Sequence, residues 1–292
     1  PGGGLHQPGG QGIGLRVNLL LNLRALVGRA YPRIIGAQRE PSWIFFETLL
    51  PLLTIAAYVY IYEYLGVPQF VGFVVLGGTM VAFWMNVLWS MAAQFYWEKQ
   101  IGNLQLYMMA PMSRMALLGG MAVGGAVMTS TRAVATLVLG VLIFRITLVV
   151  LDPLLLLAIF LTTLAALYGL GMIFASVYLL YGREAWHASN LLQEPVFLVS
   201  GFYFPLKTFV TRLGAGGLWV AAGASIIPMT LGLDAMRQLL FPELLAYGLL
   251  RPDIELLILL ILAPVFIYLA RISLAYLERL GKEQGRLTLR HQ

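Results

Sequence analysis

Thirty consecutive residues, 153–182, carry no charge. The hydrocarbon core of a bilayer is about 30 Å thick and takes ~20 helical residues to cross, so a run of that length reads as a membrane-spanning helix. Comparable apolar runs recur along the chain. The sequence predicts an all-α polytopic membrane protein with spans near 43–65, 70–97, 115–144, 152–181, 186–205 and 254–277. Only 11% of the 292 residues are charged, less than half the ~25% of an ordinary soluble domain. There is no cysteine, and His6, His187 and His291 lie far apart, so neither a disulfide nor a metal site is expected.

The segments flanking these runs differ in character. Residues 1–13 are rich in Gly and Pro and read as a disordered start. From 14 to 39, Arg16, Arg24, Arg29, Arg33 and Arg39 are set among Leu and Ile residues. That pattern predicts a basic amphipathic helix on the membrane surface, broken near Pro32. Residues 206–253 are apolar but interrupted by Gly214, Gly216, Gly217, Gly223, Pro228 and Pro242, which suits two re-entrant half-helices dipping in from one side. Thirteen Lys and Arg residues fall in the N-terminal segment, the 98–114 and 182–185 loops and the tail, against five on the other side. The positive-inside rule then puts both termini, including the 278–292 tail, and these two loops in the cytoplasm, with 206–253 facing outward.

Three charges are expected inside the hydrocarbon: Glu47, Arg132 and Glu194. A central Arg costs at least ~2.5–3.5 kcal/mol there and calls for a partner, for which Glu194 and Glu47 are the available carboxylates. Each of the three reads either as a structural ion pair or as a group lining a translocation pathway. Gly120 and Gly124 form a GxxxG pair that lets another helix pack closely.

The longest polar-headed interruption of the first half is Glu98–Arg114. It has a charged head (Glu98, Lys99), a Gly102-Asn103 break, a short helical piece and a Pro111-Met112-Ser113-Arg114 ending. Ile101, Leu104 and Met108 fall at helical spacing, giving one apolar face on a segment expected outside the bilayer. Such a face calls either for lipid headgroups or for a partner protein. No Walker A motif, HExxH or GxSxG occurs, and two similar halves are lacking. Uphill transport by this chain would therefore draw its energy from another polypeptide.

Taken together, the stretch 97–114 (WEKQIGNLQLYMMAPMSR) resembles the signature loop of ABC-2 type exporter permeases. A second likeness to that family lies in Ser200-Gly201 through Pro205, then Pro228-Met229-Thr230 and Asp234-Ala235-Met236-Arg237 before the last span. The resemblance covers about residues 40–277. It implies a six-span transmembrane domain, an interfacial elbow helix over 14–39, and a second permease subunit, identical or homologous. It also implies two cytoplasmic ABC ATPase subunits that bind ATP and Mg, docked on a coupling helix at 98–114. Glu98, Lys99, Gly102, Leu104, Leu106, Met108, Pro111 and Arg114 would form that contact, with Arg183 and Glu184 adding a smaller one. The chain itself would hydrolyse nothing and bind no cofactor. Its place would be the cytoplasmic membrane of a prokaryote, as a multi-pass protein.

The Arg39–Trp43 entry to the first span looks closer to the drug and lipid exporters than to the polysaccharide branch, and the apolar spans suit an amphipathic, drug-like or lipid-like cargo. Three other readings compete. One is an ion-coupled transporter or channel that relays through Glu47, Arg132 and Glu194. Another is a polysaccharide or glycolipid permease of the same family. The last is an assembly protein whose buried charges only hold helices together.

Overall fold

The computed structural model describes residues 10–182 and 184–283; the side chains of residues 10–18, 105, 108, 188 and 282 lie outside that description. Among the described residues the chain is helical, with no strand. Five helices are long and apolar enough to cross a membrane: Pro41–Tyr64, Pro68–Ile101, Arg114–Phe144, Pro153–Tyr181 and Pro252–Gly281. A bent pair, Ala215–Ala224 and Pro228–Leu240, turns through 102° at a short break and would make a sixth if counted as one broken span.

Local chemistry fixes where these helices begin and end. We label α1 (Gly10–Gln38), α2 (Pro41–Tyr64), α3 (Val71–Met85), α4 (Gln94–Ile101), α5 (Asn103–Met109), α6 (Arg114–Phe144), α7 (Pro153–Tyr181) and α8 (Glu184–Val199). After them come α9 (Lys207–Leu213), α10 (Ala215–Ala224), α11 (Pro228–Leu240) and α12 (Pro252–Glu283). Asp152 caps α7, its carboxylate accepting from the Leu154 and Leu155 amides at 3.0 Å, and Pro153 supplies the pre-set first position. Gly182, at φ +55°, ends the helix. Between α3 and α4 the chain widens into a π-helical turn, Asn86–Met91.

The α3 span is the axis of the bundle: 83% of its most apolar window is buried, against 22% for α2 and for α12. Trp84, Phe83, Met91 and Leu88 from this segment pack with Met121, Leu167, Phe202 and Met229. Arg114 at the start of α6 meets Glu278 near the end of α12 at 2.7 Å. At the opposite end of the bundle, the Val149 and Leu151 amides donate to Leu240 and Leu239 at the end of α11.

The structure departs from the sequence expectations in four places. Helix α1 runs unbroken through Pro32; the ring lies on an exposed face, where water can satisfy the Gly28 carbonyl that loses its helical donor. It also starts at Gly10, four residues inside the stretch read as disordered, while residues 1–9 lie outside the described part. The expected span 186–205 is instead the 16-residue α8 followed by a turn; at 1.5 Å per residue it reaches only ~24 Å. Finally, α12 continues to Glu283, beyond the predicted end of the last span, and residues 284–292 of the tail lie outside the described part.

The GxxxG pair does receive a helix, and it is α1. A Cβ at Gly120 would stand 2.5 Å from the Leu26 carbonyl, and one at Gly124 would stand 3.1 Å from that of Ala30. The missing side chains let the two backbones approach, so α1 lies along α6 with Arg29 and Arg33 turned toward the π-helical turn and α4.

Candidate functional site: a polar seam and its cavity

Four polar residues at steps of four, Asn86, Ser90, Gln94 and Glu98, run down one side of the most buried span. Two arginines one turn apart on α1 meet them. Arg29 pairs with Glu98 and donates to the Tyr107 hydroxyl at 3.3 Å. Arg33 donates to Ser90 and to the Gln94 carboxamide oxygen at 3.2 Å. Glu98, only 4% exposed, also accepts from Gln94 at 2.9 Å and Asn103 at 3.1 Å. A buried carboxylate with a guanidinium and two amide donors is fully occupied, which is the condition under which a buried charge is tolerated.

Arg33 differs from Arg29 because its hydrogen-bond partners are neutral. No carboxylate lies within ion-pair distance of it among the described residues. Burial pushes its guanidinium down to about 10, with Arg29 and Arg132 adding to the effect and Tyr168 opposing it. At neutral pH it remains a cation.

Beside the seam lies a cavity of about 570 Å³, within the 300–1,000 Å³ typical of small-molecule sites. Its wall combines Asn86, Ser90, Gln94 and Thr129 with Trp43, Trp89, Trp97, Leu50 and Met85. Glu47 and Arg132 are also on the wall and pair with each other. The Arg132 side chain is 9% exposed and that of Glu47 41%, so the carboxylate takes the open side of the pair. Tyr168 donates to the Asn86 side-chain oxygen at 2.9 Å, leaving the Asn86 amide nitrogen as a donor at the wall.

Of the expected pathway residues, Glu47 and Arg132 are brought together and Glu194 is not. Glu194 stays on the exposed side of α8, accepting from Gln193 at 3.3 Å; Gln193 in turn accepts from the Trp89 indole at 2.8 Å.

The 98–114 segment folds as the end of α4, the short α5 and a Pro-containing link. Gly102 takes φ +91°, a left-handed conformation that breaks the helix. Because of that break, Ile101 is out of register with Leu104 and Met108. Leu104, expected on the outer apolar face, is 4% exposed and sits in the main core. Ile101 and Leu106, both expected at the contact face, are 70% and 61% exposed, and Met109, at 75%, joins them. Lys99 is buried as well, while Pro111 and Glu184 are exposed. Arg183 and the side chain of Met108 fall outside the described residues. The segment is tied down at both ends, through Glu98 to Arg29 and through Arg114 to Glu278; the Ser113 amide adds a bond to the Asn22 side chain at 2.8 Å.

Sequence reasoning missed the seam. The available signal was the i, i+4 spacing of four polar residues inside an apolar run, with two arginines at the same spacing on the preceding helix. No family model, curated protein or solved structure matches the chain.

Proposed function

We propose that this chain is the membrane-spanning permease subunit of an ATP-driven exporter of the ABC-2 type, moving an amphipathic, drug-like or lipid-like substrate outward. The observation that carries the proposal is the 98–114 segment. It presents three large apolar side chains, Ile101, Leu106 and Met109, to its surroundings, yet its base is held by two ion pairs to different helices. An apolar face on a rigid mount can take a push from a partner and pass it on, which a loose connector cannot.

In this reading α1 is the interfacial elbow and both termini are cytoplasmic. Six crossings arise when α8 and the turn after it complete the count, and α10 with α11 is the re-entrant pair facing outward. Two ATPase subunits supply ATP, Mg and hydrolysis, and a second permease, identical or homologous, completes the pathway. The cavity holding Glu47 and Arg132 is where substrate enters. The rival relay through Glu47, Arg132 and Glu194 loses support, because the exposed Glu194 stands apart from the other two.

The test is a mild-detergent pull-down of the chain from its host, with mass spectrometry of what accompanies it. A stoichiometric P-loop ATPase is expected, and it should be lost from a Leu106→Asp/Met109→Asp variant that still elutes as a monodisperse permease. Full retention of the ATPase by that variant, or its absence from the unaltered chain, would remove the proposal.

A further inference from the structure

A second cavity, of about 530 Å³, lies between the last turns of α12 and the residues that lead into α6. Three arginines, Arg114, Arg271 and Arg279, are on its wall together with Glu278 and Glu283. Two of the three are answered: Arg114 meets Glu278 at 2.7 Å and Arg279 meets Glu283 at 2.9 Å. Arg271 is not, since no carboxylate lies within ion-pair distance of it among the described residues. Residues 284–292 bring Arg286 and Arg290 and no acidic side chain, so the neighbouring sequence supplies no carboxylate side chain to answer it. Ser113 puts a second free donor on the same wall. It stands at the N-cap of α6, where a serine hydroxyl ordinarily bonds the first turn, but it makes no capping bond. A guanidinium fork with a hydroxyl beside it is a donor set suited to phosphate oxygens.

Depth narrows the ligand class. Arg271 lies ~28 Å along α12 from Pro252 at 1.5 Å per residue, which matches the ~30 Å thickness of the hydrocarbon core. The exposed Tyr268 and Tyr276 flank it on the same helix, as aromatic side chains do at a membrane–water boundary. The unanswered guanidinium therefore stands at the level of lipid phosphates. Met112, Met115 and Leu274 give the cavity an apolar side, which suits glycerol and acyl carbon better than bulk water. A basic pocket between helices at this level is the setting in which anionic headgroups are held.

We propose that this cavity binds the headgroup of an anionic phospholipid, with its phosphate on Arg271 and Ser113 and its first methylenes against Met112, Met115 and Leu274. A lipid seated there bridges the end of the 98–114 segment and the last span, beside the Arg114–Glu278 pair. The site needs the membrane placement of α12 and nothing from the exporter reading. Absence of an ATPase partner would leave it standing, and failure of lipid binding would leave the coupling segment standing.

The experiment is native mass spectrometry of the full chain in an uncharged detergent, titrated with dioleoyl phosphatidylglycerol or dioleoyl phosphatidylcholine, with inorganic phosphate as competitor. Saturable binding of the phosphatidylglycerol is expected, about tenfold tighter than its zwitterionic counterpart, the scale of one charge-assisted contact. Arg271→Gln should weaken it about tenfold and Ser113→Ala about threefold, while Arg271→Lys should keep most of the affinity. Arg212→Gln, which removes an exposed arginine from α9, should leave it unchanged. Equal binding of the two lipids, an unaltered affinity in Arg271→Gln, or an equal loss in Arg212→Gln would overturn the site. Displacement of the lipid by equimolar inorganic phosphate would overturn the lipid as its occupant. If the Arg271 variants do not purify, the two-lipid comparison on the unsubstituted chain still decides.

Discussion

Two guanidinium groups, the buried Arg237 and the half-buried Arg33, sit in opposite kinds of surroundings. Arg237 on α11 is 3% exposed and donates to the carbonyls of Phe73, Gly201 and Phe202, with the Phe73 ring 3.3 Å from its centre. These contacts join the start of α3, the turn after α8 and α11 at one point. Asp234, one turn earlier, accepts from the Leu249 amide at 2.7 Å and from Gln238 at 3.1 Å, tying the next link to the same helix. Backbone carbonyls are fixed partners that cannot leave without unfolding. Arg33 holds only neutral side chains, Ser90 and Gln94, and these two line the cavity. A buried cation saturated by backbone is architecture, whereas one held by two neutral side chains can change partners without unfolding the chain.

That contrast can be broken most forcefully at Arg237. Arg237→Ala would leave the Gly201 and Phe202 carbonyls without this donor and take a second one from the helical Phe73 carbonyl, and a loss of about 3–5 kcal/mol is expected in denaturant unfolding in detergent. Arg33→Gln should cost less than ~1 kcal/mol in the same assay. Equal losses would erase the distinction. Glu98→Ala comes next: it strips Arg29, Gln94 and Asn103 of a shared acceptor, with about 2–3 kcal/mol expected. A Glu98 variant as stable as the parent would mean that the α1 latch is ornamental. Smaller again is Gly77→Ala, whose Cβ would collide with the Phe202 carbonyl beside Arg237. About 2 kcal/mol is expected, set against Gly216→Ala, where nothing lies within 4 Å and stability should hold or rise slightly. Least of all, Leu106→Asp should move stability by under ~0.5 kcal/mol, because that side chain is exposed; its effect belongs to partner binding, read by co-purification.

Helix positions were legible in the sequence because apolar run length is a one-dimensional signal. The spans 152–181 and 115–144 need nothing more than counting, and Asp152-Pro153 marks its own helix start. Arg132 announces a need for a partner by its position alone, but the choice between Glu47 and Glu194 depends on how α2 and α8 pack, which spacing does not encode. Leu104 shows a related limit. Its face is decided by the left-handed Gly102 upstream, and helical spacing carried across that break puts the wrong residue outward. The neighbour of the GxxxG pair was likewise hidden, since small residues specify a close approach and not the identity of what approaches. In the sequence Arg33 is one of five similar arginines, and only its neighbours in the π-helical turn and α4 set it apart.

The π-helical turn at Asn86–Met91 works as a phase corrector. In an ordinary α-helix every fourth residue slips ~40° around the axis, so a stripe from 86 to 98 would wander through ~120° and lose its alignment. One widened turn rotates the other way and cancels part of that drift. Asn86, Ser90 and Gln94 can then share a cavity wall while Glu98 still reaches Arg29. Deleting any single residue of the turn would restore a regular helix and swing Gln94 and Glu98 by ~100°. Hydropathy along the span would hardly change, but the seam would be cut in two.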